Sequence, residues 1–191
     1  PQQTRRVLEG DLARSLLIVA SKSGGTVETD SQRRIFTEAF AAAGCDPAAH
    51  LLAITDPGSP LATLAEEQSW RAVILADPQV GGRFAALSAF GLVPAGLAGV
   101  APGRLLDEAA AVTDLLARDA EDNPAIRLAA AMAASHAAGR EKLVLAESPA
   151  LAGFGAWAEQ LIAESTGKLG RGMLPLIVEG LDCPELERGA A

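Results

Sequence analysis

Three short segments of this 191-residue chain carry side chains suited to chemistry on a small anion. In the first, Ser21-Lys22-Ser23-Gly24-Gly25-Thr26, hydroxyls, glycines and one ammonium follow an apolar run and precede a stretch of helical periodicity. A phosphate monoester fits that combination. Amide N–H groups at a helix start have no intrahelical acceptor, the helix dipole adds partial positive charge, and Gly24 and Gly25 let the backbone approach without a Cβ. Ser21, Ser23 and Thr26 can each donate a hydrogen bond. Lys22 has two readings: a charge partner for the phosphate, or a side chain that points away while amides and hydroxyls, the main ligands expected, do the binding. The order of glycine and lysine is not that of a triphosphate cradle, and the spaced glycines of a dinucleotide loop are missing, so a small sugar phosphate is the expected ligand. The same residues would also form an ordinary polar turn with Thr26 as the helix cap.

The second segment is Val80-Gly81-Gly82-Arg83. An arginine delivered after two glycines stays protonated at any working pH and can stabilise negative charge developing on a substrate oxygen. A surface arginine after a glycine turn is the plainer alternative. The third is the helical stretch that contains Gln160 and Glu164, four apart and therefore on one face. A carboxylate near Leu161 and Ala163, partly desolvated, would have the raised basicity that abstraction of a carbon-bound proton needs. Taken alone, a glutamate on a helix is ordinarily just solvated.

These segments need a scaffold that alternates strands and helices. Residues 16–20, 50–55 and 72–76 are short apolar runs bounded by turn residues, as in buried parallel strands. Helices are expected from Thr26 to the stop signal Gly44, over 61–67 and over 84–90. Parallel βαβ units follow, and ligands bind such sheets at the carboxyl ends of the strands, where Ser21 and Arg83 would both emerge. An alanine-rich helical stretch covers 105–117, Asn123-Pro124 caps a helix over 125–138, and a strand at 143–146, a helix over 150–166 and a strand at 174–178 complete the order. A domain boundary is expected where charge interrupts the alanines, giving units 1–120 and 121–191.

Sixteen Lys and Arg against 24 Asp and Glu give a formal charge of −8, which repels polyanions and argues against a nucleic-acid partner. No window has the roughly 18 apolar residues of a membrane span, and the chain starts without a signal-peptide pattern. Cys45 and Cys183 stand far apart in no metal-ligand pattern, which suits a reducing compartment such as the cytoplasm. His50 and His136 are expected to be structural or surface residues.

Together the three segments resemble the glucose-6-phosphate isomerase family, whose sugar-isomerase (SIS-type) domains carry a Ser-Lys phosphate loop, a Gly-Gly-Arg motif and a Gln-x-x-x-Glu-Ser-x-Gly-Lys helix in this order. The resemblance spans residues 16–175, and the form SKSGGTVET looks most like the isomerase half of proteins in which transaldolase and glucose-6-phosphate isomerase are fused. It implies an α/β fold, a flavodoxin-type three-layer αβα sandwich with a mainly parallel sheet, followed by a helical segment leading into a second α/β unit. It also implies interconversion of glucose 6-phosphate and fructose 6-phosphate without metal or organic cofactor. In that reading Glu164 is the base, Arg83 stabilises a cis-enediolate, residues Ser21, Lys22, Ser23, Gly24, Gly25, Thr26 and Gly82 bind the phosphate end, and Gln160 touches the sugar.

The family's earlier Gly-rich loop, its downstream histidine and its C-terminal lysine have no counterpart here, and the chain opens on Pro1. An internal piece of an isomerase is therefore expected, inactive by itself, with the rest of its parent, a fused transaldolase or other copies of the chain as partners over an uncovered sheet edge. A noncatalytic sugar-phosphate-binding module is the alternative, for which the phosphate loop alone would suffice.

Overall fold

The computed structural model describes residues 2–178 and 180; Cys183 and the final stretch from Glu185 to Ala191 lie outside the described residues. Packing divides the chain into two compact units, Pro1–Leu105 and Leu106–Ala191.

The first unit opens with α1 (Gln2–Leu8), which the sequence pattern does not single out, and continues through β1 (Leu17–Ala20), α2 (Val27–Ala42), β2 (Leu51–Thr55), α3 (Pro60–Glu67), β3 (Ala72–Leu75) and α4 (Ala89–Leu97). The strands form a parallel sheet in the order β1-β2-β3, with Val19 beside Ala53 and Ala53 beside Val73. The continuous apolar runs are explained by burial: all five residues of β2 are buried, so both faces of the central strand are covered. Leu51 and Ala53 cluster with Val19 and with Leu61, Ala65 and Trp70 from α3 and the turn after it, and α4 also packs against β2. Helix and sheet layers therefore alternate as expected for an α/β fold.

Helix α2 ends in the expected way. Gly44 takes the left-handed conformation with φ +75°, and the Cys45 amide donates back to the Phe40 carbonyl at 2.9 Å. His50 has a structural role: its Nδ1 lies 2.7 Å from the Ser15 carbonyl and its ring stacks on Phe40.

Two expected helices are interrupted. In place of a helix over 84–90 there is a 3-10 turn over Gly82–Leu87, then Ser88 in extended conformation, whose Oγ accepts from the Phe90 amide and starts α4. In the second unit, the expected helix over 150–166 is a 3-10 turn at Pro149–Leu151 followed by Gly153 at φ +90°, a value that stops helical continuation, and then α7 (Phe154–Thr166).

The second unit also holds most of α5 (Pro102–Ala117), then α6 (Pro124–Ala137) and β4 (Lys142–Ala146), with β5 (Leu174–Val178) after α7. Strands β4 and β5 pair in parallel, Val144 beside Leu176, and α7 packs on β5. The Glu147 carboxylate, at the end of β4, accepts hydrogen bonds from the Gly153 and Gly155 amides and so caps the start of α7 with negative charge.

Asn123 holds the turn between α5 and α6. It is 1% exposed, its Nδ2 donates to the carbonyls of Leu116 and Arg118 at 2.8 and 2.7 Å, and its Oδ1 accepts from the Ala125 amide at 2.9 Å. Asn123→Ala removes a helix cap and leaves two carbonyls without their donor, so urea denaturation should report a loss of about 2–3 kcal/mol. A loss below about 0.5 kcal/mol would show that water replaces the side chain.

Candidate functional site

The loop that leaves β1 is shaped by the ends of all three strands. The backbone ladder continues past the strands: the Ser21 amide donates to the Ile54 carbonyl at 3.0 Å, Asp56 to Lys22 at 3.3 Å and Ala76 to Thr55 at 2.9 Å. Thr55, fully buried, donates its hydroxyl to the Ser21 carbonyl at 2.7 Å and lies 2.6 Å from the Ser59 hydroxyl, which in turn caps α3 by accepting from the Ala62 amide. The loop is thereby seated at the carboxyl edge of the sheet, directly before α2.

Within the loop the hydroxyls gather. Ser21 Oγ lies 3.2 Å from Thr26 Oγ1 and accepts from the Gly24 amide, while Ser23 Oγ accepts from the Gly25 amide at 3.3 Å. Thr26 occupies the N-cap position of α2, yet its side chain makes no cap hydrogen bond; its hydroxyl turns to Ser21 instead. The first amides of α2 are thus left uncapped by that side chain, the arrangement an anion would use.

The two glycines differ. Gly24 has φ +68°, and a Cβ there would come within 2.6 Å of the Leu61 amide nitrogen, so its small size is required by the close approach of the loop to α3. Gly25 has open space, with only Ser23 Oγ at 3.9 Å from an added Cβ. A cleft of about 270 Å³ beside the loop is lined by Ser21, Gly24, Thr29, Asp30 and Leu61. Arg33, on its wall, is held by Asp30 through Nε and Nη2 at 2.9 and 2.6 Å, which neutralises its charge in place.

Lys22 points to the strand ends. Its ammonium is 2.9 Å from Asp56 Oδ1 and 3.3 Å from the Asp77 carbonyl, and it lies over the Phe90 ring at 5.9 Å. Gly82 is brought to the same place, since a Cβ there would sit 3.8 Å from Lys22 Cδ. The loop and the Gly-Gly-Arg segment are therefore close neighbours within the first unit. The next residue, Arg83, places its guanidinium over Phe84 at 5.6 Å. Sequence pattern does not mark Thr55, Asp56 or Phe90 as site residues. The only signal is the turn Asp56-Pro57-Gly58, whose carboxylate acquires its role from a lysine 34 positions earlier.

In the second unit, Gln160 and Glu164 share a face of α7, and Gln160 Nε2 donates to Glu164 Oε1 at 3.0 Å. Lys168 Nζ donates to the Glu164 carbonyl at 3.0 Å. Glu164 is exposed, which corrects the expectation of a partly desolvated carboxylate. Leu161 and Ala163, three and one positions earlier, do not enclose it.

Fold and geometry define a parallel α/β protein with a hydroxyl- and amide-rich loop at the carboxyl edge of its first sheet. Relatives of the chain are named for one activity. It is 38% identical over 179 residues to a glucose-6-phosphate isomerase of Cyanothece sp. (strain PCC 7425), covering 88% of this chain and 33% of that protein. It is 36% identical over 177 residues to a probable glucose-6-phosphate isomerase of Haloarcula marismortui, covering 92% of this chain and 40% of that protein. Among solved structures, a glucose-6-phosphate isomerase from Chlamydia trachomatis matches with a TM-score of 0.79 at 26% identity, over 94% of this chain and 38% of that one. A hypothetical protein from Thermus thermophilus matches with a TM-score of 0.81 at 29% identity, over 98% of this chain and 46% of that one. No protein-family model matches the sequence. The chain is thus homologous over most of its length to glucose-6-phosphate isomerases, of whose length it spans about a third.

The contrast between the glycines is testable by thermal unfolding. Gly24→Ala should destabilise the first unit by at least about 2 kcal/mol, because left-handed strain and a backbone clash add. Gly25→Ala should remain within about 0.5 kcal/mol of the parent sequence. Equal losses at the two positions would contradict the distinct roles.

Proposed function

We propose that the chain is the isomerase portion of an enzyme that interconverts glucose 6-phosphate and fructose 6-phosphate, with 1–120 contributing a partial first sugar-isomerase domain and 121–191 the entry to a second. The observation that carries this reading is the 36–39% identity to proteins named for that activity, over most of the chain. The hydroxyl and amide cluster at the start of α2 supports it, since it matches the needs of a phosphate monoester. The isomerase half of a transaldolase fusion, in the cytoplasm, is the parent this reading favours.

The hydroxyls and main-chain amides of residues 21–26 anchor the phosphate of the open-chain sugar, so that binding energy remote from the reacting carbons orients them. Glu164 takes the proton from C2 of open-chain glucose 6-phosphate and returns it to C1 while the hydroxyl proton passes from O2 to O1, through a cis-enediolate whose charge Arg83 stabilises; Gln160, hydrogen-bonded to the same carboxylate, orients it. None of these steps calls on a metal or an organic cofactor. The isolated chain would bind the sugar phosphate without turning it over.

Two measurements test this. Calorimetric titration of fructose 6-phosphate into the chain should give saturable binding, and binding with no turnover in the full-length parent would favour a sensor over an enzyme. In that parent, Glu164→Gln should lower kcat by about 10²- to 10⁴-fold. Turnover within a few fold of the unaltered enzyme would remove Glu164 from its role.

A further inference from the structure

Among the described residues of the loop, Lys22 combines polar contacts to two strand exits with a position between two proposed site segments. An ammonium has three N–H donors and no acceptor. Those of Lys22 face the Asp56 carboxylate at 2.9 Å, the Asp77 carbonyl at 3.3 Å and the Phe90 ring at 5.9 Å. Lys22 and Asp56 are 24% and 20% exposed at their side chains, so the pair is shielded on most sides. Lys22 Cδ lies 3.8 Å from where a Cβ on Gly82 would be. One side chain from the loop after β1 thus bonds to the turn after β2 and the exit of β3, and lies beside Gly82 and over the Phe90 ring of α4.

We propose that Lys22 is a positioning residue rather than an anion ligand: with Asp56 as its counter-ion, it ties the 21–26 loop to the segment that carries Arg83 and sets the spacing between them. This rests on the reading of the loop as a phosphate site, and it adds a role for Asp56 that sequence pattern does not suggest. The hydroxyl and amide donors then hold the anion, while the cation holds the donors. The alternative, direct contact of the ammonium with phosphate, would require the anion to compete with Asp56.

The two arrangements give opposite signs in a double-mutant cycle on the chain. Titrations of fructose 6-phosphate are compared for Lys22→Met, Asp56→Asn and the double variant. For a strut, both single changes weaken binding in the same direction, by about three- to tenfold, and the double variant is no weaker than Lys22→Met alone. For a direct ligand, Lys22→Met weakens binding while Asp56→Asn, which frees the ammonium, tightens it; that result would overturn the proposal. Lys22→Arg should restore part of the loss, since it keeps the charge.

Amide hydrogen exchange supplies a readout that needs no sugar. The Phe84 and Ser88 amides are hydrogen-bonded within the segment that Lys22 touches, at 2.9 and 3.0 Å, and both should exchange about tenfold faster in Lys22→Met and in Asp56→Asn, with no further rise in the double variant. Unchanged exchange at these positions would overturn the strut whatever the titrations show. If the unaltered chain fails to bind fructose 6-phosphate, the functional reading falls while the exchange comparison still decides the role of Lys22.

Discussion

The buried hydroxyl of Thr55 makes the interaction on which the candidate site at the first unit's sheet edge depends. It sits at the last position of the central strand, where the sheet ends and the backbone of the next turn needs partners. By donating to the Ser21 carbonyl and meeting the Ser59 hydroxyl, it joins the loop after β1 to the start of α3. Ser59 then caps α3, whose next residues place Leu61 against Gly24. A small network inside the protein therefore determines where the glycines and hydroxyls of the loop can lie.

This network accounts for what is legible in the sequence and what is not. The strands can be read because a parallel strand covered on both faces must be apolar at every position, as β2 nearly is, with Thr55 at its end the exception that forms the network. Gly44 can be read as a helix stop because its role is local. The breaks at Ser88 and Gly153 cannot, because helical periodicity persists across both positions and only the backbone conformation interrupts it. The orientation of Lys22 is open in the sequence for the same kind of reason: its partner comes from another strand end, and residue type alone does not select between an anion and Asp56. Glu164 illustrates the opposite error. Its apolar neighbours in sequence suggest shielding, but Ala163 is turned to another side of the helix and Leu161, three residues earlier, leaves the carboxylate exposed, while Gln160, four residues earlier, donates a hydrogen bond to it.

The acidic character of the chain gives this arrangement its physical sense. With a formal charge of −8, the molecule offers a phosphate no long-range attraction, and two cations beside the loop, Lys22 and Arg33, are each matched by a carboxylate. In the proposed function, recognition must therefore come from short-range donors: the hydroxyls of Ser21, Ser23 and Thr26 and the amides at the start of α2. Hydrogen bonds of this kind are directional and weaken steeply with distance and angle, so they discriminate by the position of the phosphate oxygens rather than by charge alone. A site built this way gains nothing unless its donors are held still. In that reading the Thr55 network and the Lys22–Asp56 pair act on this requirement from two sides, one beneath the loop and one toward the Gly-Gly-Arg segment, so that a cation would serve anion recognition without touching the anion.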